Sequence, residues 1–159
     1  MIEIKPIQPH QTEEVKTLIF SVVQEIWQLT EQEIKKVDDM TDIDHVRSQY
    51  FNNKGIFLVL CDDSKIVGSG GIRRLSDDIC ELKRMWFRQD YRGRGLGKQM
   101  SQKLLEFAKA TGYTKIRLDV FDKQKQSQSI KFYQKLGFYL IDKYNESPCD
   151  LFMEKLLIW

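Results

Sequence analysis

The chain has 159 residues, 42% of them hydrophobic, with 25 basic and 23 acidic side chains and a formal net charge of +2. That length suits a single domain spanning 1–159 with one core, and the near-neutral balance speaks against a dedicated nucleic-acid binder. No apolar run is long enough to cross a bilayer, and MIEIKPIQPH has no basic region ahead of an apolar core, so neither a membrane span nor a secretory signal is expected.

Residues 2–8 alternate apolar and polar, Ile2, Ile4 and Pro6 against Glu3 and Lys5, which predicts a short edge strand. Val15, Leu18, Ile19, Val22, Val23 and Ile26 fall at helical spacing, with Thr12 placed to cap the helix and Glu13 and Glu14 in its first turn. A shorter helix is predicted over about residues 42–51 from Ile43, Val46 and Tyr50. The acidic stretch DDMTDID, residues 38–44, lacks the glycine and glutamate of a calcium loop and reads as a solvated segment or a cap for that helix. Asn52 to Gly55 is a turn, 56–61 a strand, and Asp62 to Lys65 a hairpin turn. The next strand, 66–73, holds Gly68, Gly70 and Gly71, which leave room for a bulge or a close neighbour. A fourth strand covers 79–87. Leu96, Met100, Leu104, Phe107 and Ala108 mark one face of a helix that stops near Gly112. Residues 115–121 form a strand, 129–136 a short helix ended by Gly137, and 138–142 and 151–158 the last two strands. The order β-α-α-β-β-β-α-β-α-β-β describes an α/β (α+β) domain. It predicts a single mixed, mostly antiparallel sheet flanked by helices, with crossover helices in the second half.

The three cysteines, Cys61, Cys80 and Cys149, are odd in number, widely spaced and without a CxxC pair. His10 and His45 lie far apart and no HExxH occurs. No disulfide framework and no metal site is expected, and a reducing cytoplasm is the natural setting.

Chemistry concentrates in RQDYRGRGLGKQM, residues 88–100. The segment follows a strand and opens a helix. The unpaired N–H groups of a helix start, with the positive end of the helix dipole, make an anion site. Glycines let a bulky anion approach the backbone, and Arg92, Arg94 and Lys98 add charge, so a pyrophosphate is the natural guest. The pattern GxxxxGK[ST] fails, because Arg92 stands where its first glycine belongs and Gln99 follows Lys98. GxGxxG fails too: from Gly93 it ends on Lys98, and from Gly95 on Met100.

The pattern that fits is [Q/R]-x-x-G-x-[G/A], as Arg92, Gly93, Arg94, Gly95, Leu96 and Gly97. With it, the chain resembles the GCN5-related N-acetyltransferase (GNAT) superfamily. ELKRMWFRQDYRGRGLGKQM is similar to that family's fourth strand, pyrophosphate loop and following helix, and SIKFYQKLGF, residues 129–138, to its second signature. The resemblance implies an acetyl-CoA-dependent N-acetyltransferase acting on a primary amine of a small molecule, an amino acid or a protein, by direct transfer in a ternary complex. A small molecule is favoured, because the chain shows no accessory domain. The alternative is a non-catalytic module of the same fold that binds or senses acyl-CoA. The cofactor-binding residues it implies are Met85, Trp86 and Phe87 on the strand edge, the loop from Arg92 through Gly97, Lys98, and Gln126. Gln126 and Ser129 depart from the family's usual Asn and Ala. Tyr133 takes the position of the acid that protonates the departing thiolate; the other reading is a core aromatic. Glu81 is the candidate base, four residues before Met85 and so on the same face of a regular strand; the other reading is an exposed strand carboxylate beside Lys83. The resemblance also allows a homodimer through the C-terminal strands.

Overall fold

Alternation within residues 56–61 decides the layers of the molecule. Phe57, Val59 and Cys61 join one buried cluster, and Leu58 and Leu60 the other, because successive strand side chains point to opposite faces. A computed structural model of the chain describes residues 1–157. Its strands are β1 (Ile2–Pro6), β2 (Ile56–Asp62), β3 (Lys65–Arg74), β4 (Ile79–Phe87), β5 (Lys115–Val120), β6 (Tyr139–Ile141) and β7 (Leu151–Leu156). Among the described residues they form one seven-stranded sheet in the order β1-β2-β3-β4-β5-β7-β6. Neighbours run antiparallel except β4 and β5, which are parallel. That parallel pair needs a crossover, supplied by helix α5 (Leu96–Thr111). This is the mixed, mostly antiparallel fold expected from the sequence.

One face of the sheet carries α5 and the later helix α6 (Ser127–Lys135), with Met100, Leu104 and Ala108 of α5 buried against Ile72, Leu82 and Ile116. The opposite face carries α1 (Thr12–Trp27), α2 (Glu31–Val37), α3 (Thr41–Asp44) and α4 (Val46–Gln49). There Val15, Leu18, Ile19 and Val22 pack on Val59 and Ile66. Each such fully buried aliphatic side chain contributes about 1.5–3 kcal/mol. No helix among the described residues is long and apolar enough to cross a membrane.

Several expectations change at the helix ends. Thr12 is the first helical residue of α1 rather than its cap; a 3₁₀ turn over Pro9–Gln11 leads into the helix, and no side-chain cap bond forms there. The expected helix over 42–51 is broken into α3 and α4 at His45, whose φ of −119° and ψ of 44° leave the helical region. The sequence reading passed over α2, which buries only Ile34. Its signal was a capping box: the Thr30 hydroxyl accepts from the Glu33 N–H, and the Glu33 carboxylate accepts from the Thr30 N–H. The strand predicted over 138–142 shrinks to Tyr139–Ile141, and Phe138 enters the core instead. The strand predicted over 151–158 ends at Leu156; its last residue, Ile158, lies outside the described residues.

Candidate active site

The site begins with an irregularity in β4. Ser69 pairs with Trp86, but Gly71 pairs with Lys83, so β4 carries one extra residue opposite Gly70. Arg84 sits in this bulge with φ of 60°, a left-handed conformation uncommon for a residue with a long side chain. Gly70 lies under the bulge, where an added Cβ would stand 2.6 Å from the Met85 sulfur. Arg84 is held from three directions. Its Nε and Nη2 donate to Asp42 at 3.1 and 2.6 Å, both of its terminal nitrogens donate to Asp38, and its carbonyl accepts from Ser69 Oγ at 2.6 Å. The Tyr50 hydroxyl completes the set by donating to Asp42 at 2.6 Å. Burial pushes the Asp38 and Asp42 carboxyls up, but the Arg84 hydrogen bonds and charge outweigh it and hold both below their usual range. Within the 38–44 stretch Asp39 stays exposed and accepts from the Thr41 N–H where α3 starts, but Asp38 and Asp42 are not simply solvated: they neutralise a largely buried guanidinium.

The bulge also corrects the placement of Glu81. Met85 packs on the α5 side and Trp86 on the α1 side, whereas Cys80 and Leu82 face α5. One inserted residue reverses the period-two rule, so Glu81 shares its face with Lys83 and Trp86, not with Met85. It is almost fully buried: the Tyr144 hydroxyl donates to it at 2.6 Å and Arg73 Nη2 at 3.4 Å. Burial first, then the Glu81 charge, pushes the Tyr144 phenol far above its usual range.

Beyond Glu81 and Arg117, β4 and β5 stop pairing. The strands diverge around a cleft of about 290 Å³, walled by Leu82 to Trp86 on one side and Leu118 to Phe121 on the other. Alternate residues of β4 along this edge turn backbone N–H and C=O groups toward the cleft. Gln126, Ser129 and Tyr133 of the α6 region line it as well. Tyr133 packs edge-on to Phe132 and Phe138 at 5.4 and 5.6 Å between ring centroids. Its hydroxyl has no hydrogen-bond partner among the described residues, and burial raises its pKa well above that of a free phenol. Gln126 spends its side-chain oxygen on the Asp122 N–H at 3.0 Å.

The glycine loop joins the far end of β4. Arg92 Nε donates to the Phe87 carbonyl at 2.8 Å, and its two terminal nitrogens grip the Glu25 carboxylate of α1 at 2.8 and 2.9 Å. Arg92 therefore anchors the loop to two elements. Arg94 lies over the Tyr91 ring, 5.1 Å from its centroid. Gly93 and Gly95 have φ of 72° and 76°, and nothing lies within 4 Å of where their Cβ atoms would be. The backbone N–H groups of residues 93–98 find no acceptor among the described residues. Gly97 stands 3.9 Å from Phe87 and 3.7 Å from Phe132 by its hypothetical Cβ, which sets the start of α5 beside the cleft end. Positive-φ glycines, open space and a row of free N–H groups fit an anion such as a pyrophosphate.

Sequence reasoning missed the polar wall on the α1 side. Lys83 Nζ lies 3.7 Å from Glu81 and 3.8 Å from Asp119, and both Lys83 and Asp119 line the cleft. The alternation of Glu81 with Lys83, and of Arg117 with Asp119, marked polar strand faces, but nothing local paired them. Trp27, Trp86 and Phe121 form the apolar wall, with Trp27 edge-on to the other two at 6.2 and 5.5 Å. Cys149 also borders the cleft, and burial pushes its thiol up to about 11. Among the described residues no three His, Cys, Asp or Glu side chains gather as a metal site.

A family model for the acetyltransferase (GNAT) family matches residues 20–138. The uncharacterised N-acetyltransferase YjgM of Escherichia coli is 32% identical over 104 residues, covering 64% of this chain and 61% of its own length. A GNAT-family acetyltransferase of Staphylococcus aureus shares the fold at a TM-score of 0.85, with 22% identity, over 99% of this chain and 100% of that one. The PaiA N-acetyltransferase of Thermoplasma acidophilum, solved in complex with coenzyme A, does so at 0.79, with 22% identity, over 98% and 99% of the two chains.

Proposed function

Since the chain belongs to the acetyltransferase (GNAT) family, we propose that it moves an acetyl group from acetyl-CoA to a primary amine by direct transfer in a ternary complex. The observation that carries this reading is the parting of β4 from β5 after Glu81 and Arg117, which opens a cleft between a loop of free N–H groups and the Tyr133 hydroxyl. The common fold with a coenzyme A-bound N-acetyltransferase supports it.

Acetyl-CoA, when bound, supplies an activated thioester. The chain's own residues do the rest. The N–H groups of residues 93–98, with Lys98 and Arg94 nearby, hold the pyrophosphate. The open edge of β4 at Met85, Trp86 and Phe87 pairs with the amides of the pantetheine arm, as an added strand would. An N–H of this edge stabilises negative charge developing on the carbonyl oxygen. Tyr133, protonated at neutral pH, donates to the departing sulfur. Glu81 does not line the cleft, so as a base it takes the amine proton through water rather than by contact. Gln126 contributes through the turn it ties to Asp122.

A thermal-shift titration tests the donor site. A ligand at a hundred times its dissociation constant stabilises by about 2.7 kcal/mol, or about 5–10 °C for a domain of this size. CoA and acetyl-CoA are expected to shift the wild type while ATP and NAD do not, and Gly95→Asp is expected to lose the shift. No response to either CoA species would remove the donor and the enzyme reading with it.

A further inference from the structure

The acceptor side of the cleft carries charges that the fold pairs only at a distance. Arg84 is held by Asp38 and Asp42 and is no free cation for a ligand. Lys83 differs. Its ammonium stands 3.7 Å from Glu81 and 3.8 Å from Asp119, outside hydrogen-bond reach of both, and makes no hydrogen bond among the described residues. Its side chain is 22% exposed, so part of it stays in contact with solvent. The Asp119 Oδ2 accepts from Asn145 Nδ2 at 3.0 Å and Ser147 Oγ at 3.1 Å, and the Cys149 thiol also bears on this carboxylate, while no N–H donates to Oδ1, the atom facing Lys83. A cation and an anion that pair only loosely with each other thus lie side by side in a cleft that Trp27, Trp86 and Phe121 also line.

From this juxtaposition we infer that the acceptor is an α-amino acid, an amine with a carboxylate on the neighbouring carbon and an apolar or aromatic side chain. The inference rests on the acetyl-transfer reading above and names its second substrate. An amine and a carboxylate oxygen on one α-carbon are about 3 Å apart by covalent geometry, close to the 3.8 Å between Lys83 Nζ and Asp119 Oδ1. The ligand carboxylate meets Lys83, the ligand ammonium meets Asp119 Oδ1, and four alternating charges close a square. The side chain then lies against the indole rings. A simple alkylamine would leave Lys83 without its partner. A polyamine would place a second cation beside Lys83. A protein N-terminus has an amide where the carboxylate should be.

The test measures CoA release by the full chain with acetyl-CoA and matched acceptors: phenylalanine against phenethylamine, leucine against isoamylamine, and spermidine. Each amino acid is expected to exceed its decarboxylated partner in kcat/KM by about tenfold or more, the usual discrimination when a charge-assisted hydrogen bond is lost. Lys83→Gln is expected to collapse that ratio toward one, and Asp119→Asn to raise the KM of the amino acids. The CoA-induced thermal shift of each variant reports that it is folded. Equal or faster turnover of the decarboxylated amines, or of spermidine, would overturn the inference, as would a ratio unchanged in Lys83→Gln. Turnover of none of them alongside an intact CoA shift would overturn the acceptor class while leaving the donor site standing. Loss of the wild-type CoA shift would overturn the reading beneath it.

Discussion

Tyr133 illustrates how much a single hydroxyl can carry. Its ring is core, edge-on to Phe132 and Phe138, yet the residue lines the cleft and its hydroxyl has no hydrogen-bond partner among the described residues. Tyr133→Phe keeps the ring and removes the proposed proton donor. We expect kcat to fall about 10²–10⁴-fold with the CoA-induced thermal shift retained; steady-state rates and melting curves on one preparation decide it, and an unchanged kcat would make Tyr133 a core aromatic only. Glycines separate the two kinds of role more sharply. An added Cβ at Gly95 meets nothing within 4 Å, so Gly95→Ala bears only the left-handed backbone, about 1–2 kcal/mol. An added Cβ at Gly55 would stand 2.2 Å from the Ile72 carbonyl oxygen and 2.8 Å from that of Tyr50. Gly55→Ala is therefore expected to destabilise by at least the 1–3 kcal/mol or so of a typical overpacked site, with CoA affinity of the folded fraction unchanged. Denaturant melts and CoA titrations on the two variants check these expectations. The sequence marked the loop because its glycines act locally. It marked Gly55 only as a turn, because the atom that crowds it most, the Ile72 carbonyl oxygen, comes from a strand further along the chain.

At the scale of elements, the strands and α5 were legible because their apolar spacing repeats over many residues. The bulge in β4 was not. It depends on Arg84 being met by Asp42 and Asp38, 42 and 46 residues away, and no residue type in MWF or LKR signals it. The same distance hid the function of DDMTDID. The clamp makes a prediction about pH. Asp38 and Asp42 have folded pKa values below their unfolded ones. Their contribution is therefore fully present above the unfolded carboxylate range near pH 4 and is lost as pH falls through the lower folded values. The melting temperature should drop between about pH 5 and pH 3. Arg84→Met leaves two partly buried carboxylates unpaired and should destabilise by about 3–5 kcal/mol at pH 7, at the low end because Asp38 is partly exposed and screened. Burial then meets only the weaker pull of the Met40 N–H on Asp38 and of the Tyr50 hydroxyl and Arg73 charge on Asp42, so their folded pKa values rise relative to the wild type. Acid should consequently narrow the gap between variant and wild type. A gap that widens in acid would mean the carboxylates are held by something other than Arg84.

The whole molecule is two sheet segments meeting at a short seam. β1 to β4 form one segment and β5, β7 and β6 the other, and the parallel join between them spans only three residue pairs, Ile79 to Glu81 with Lys115 to Arg117. The buried cluster under α5 bridges the seam, since it holds Leu82 from one side and Ile116, Leu118 and Val120 from the other. Unfolding should therefore remain one cooperative transition, while local opening concentrates where the strands part. Amides of residues 82–87 that face the cleft should exchange with solvent faster than those of β2, which is paired on both sides by β1 and β3. A CoA molecule lying between the segments would replace the missing strand and cover the loop N–H groups. On adding CoA, exchange should slow at 82–87, at 93–98 and at 118–121, and among fast-exchanging amides it should stay unchanged in β1 and β6, at the sheet's two edges. Protection confined to the loop would place the pyrophosphate there but leave the cleft without its arm, and the acetyl group would have no route to Tyr133. Protection on both walls of the cleft would make the ligand the second half of the seam, joining segments that the chain alone joins through three pairs.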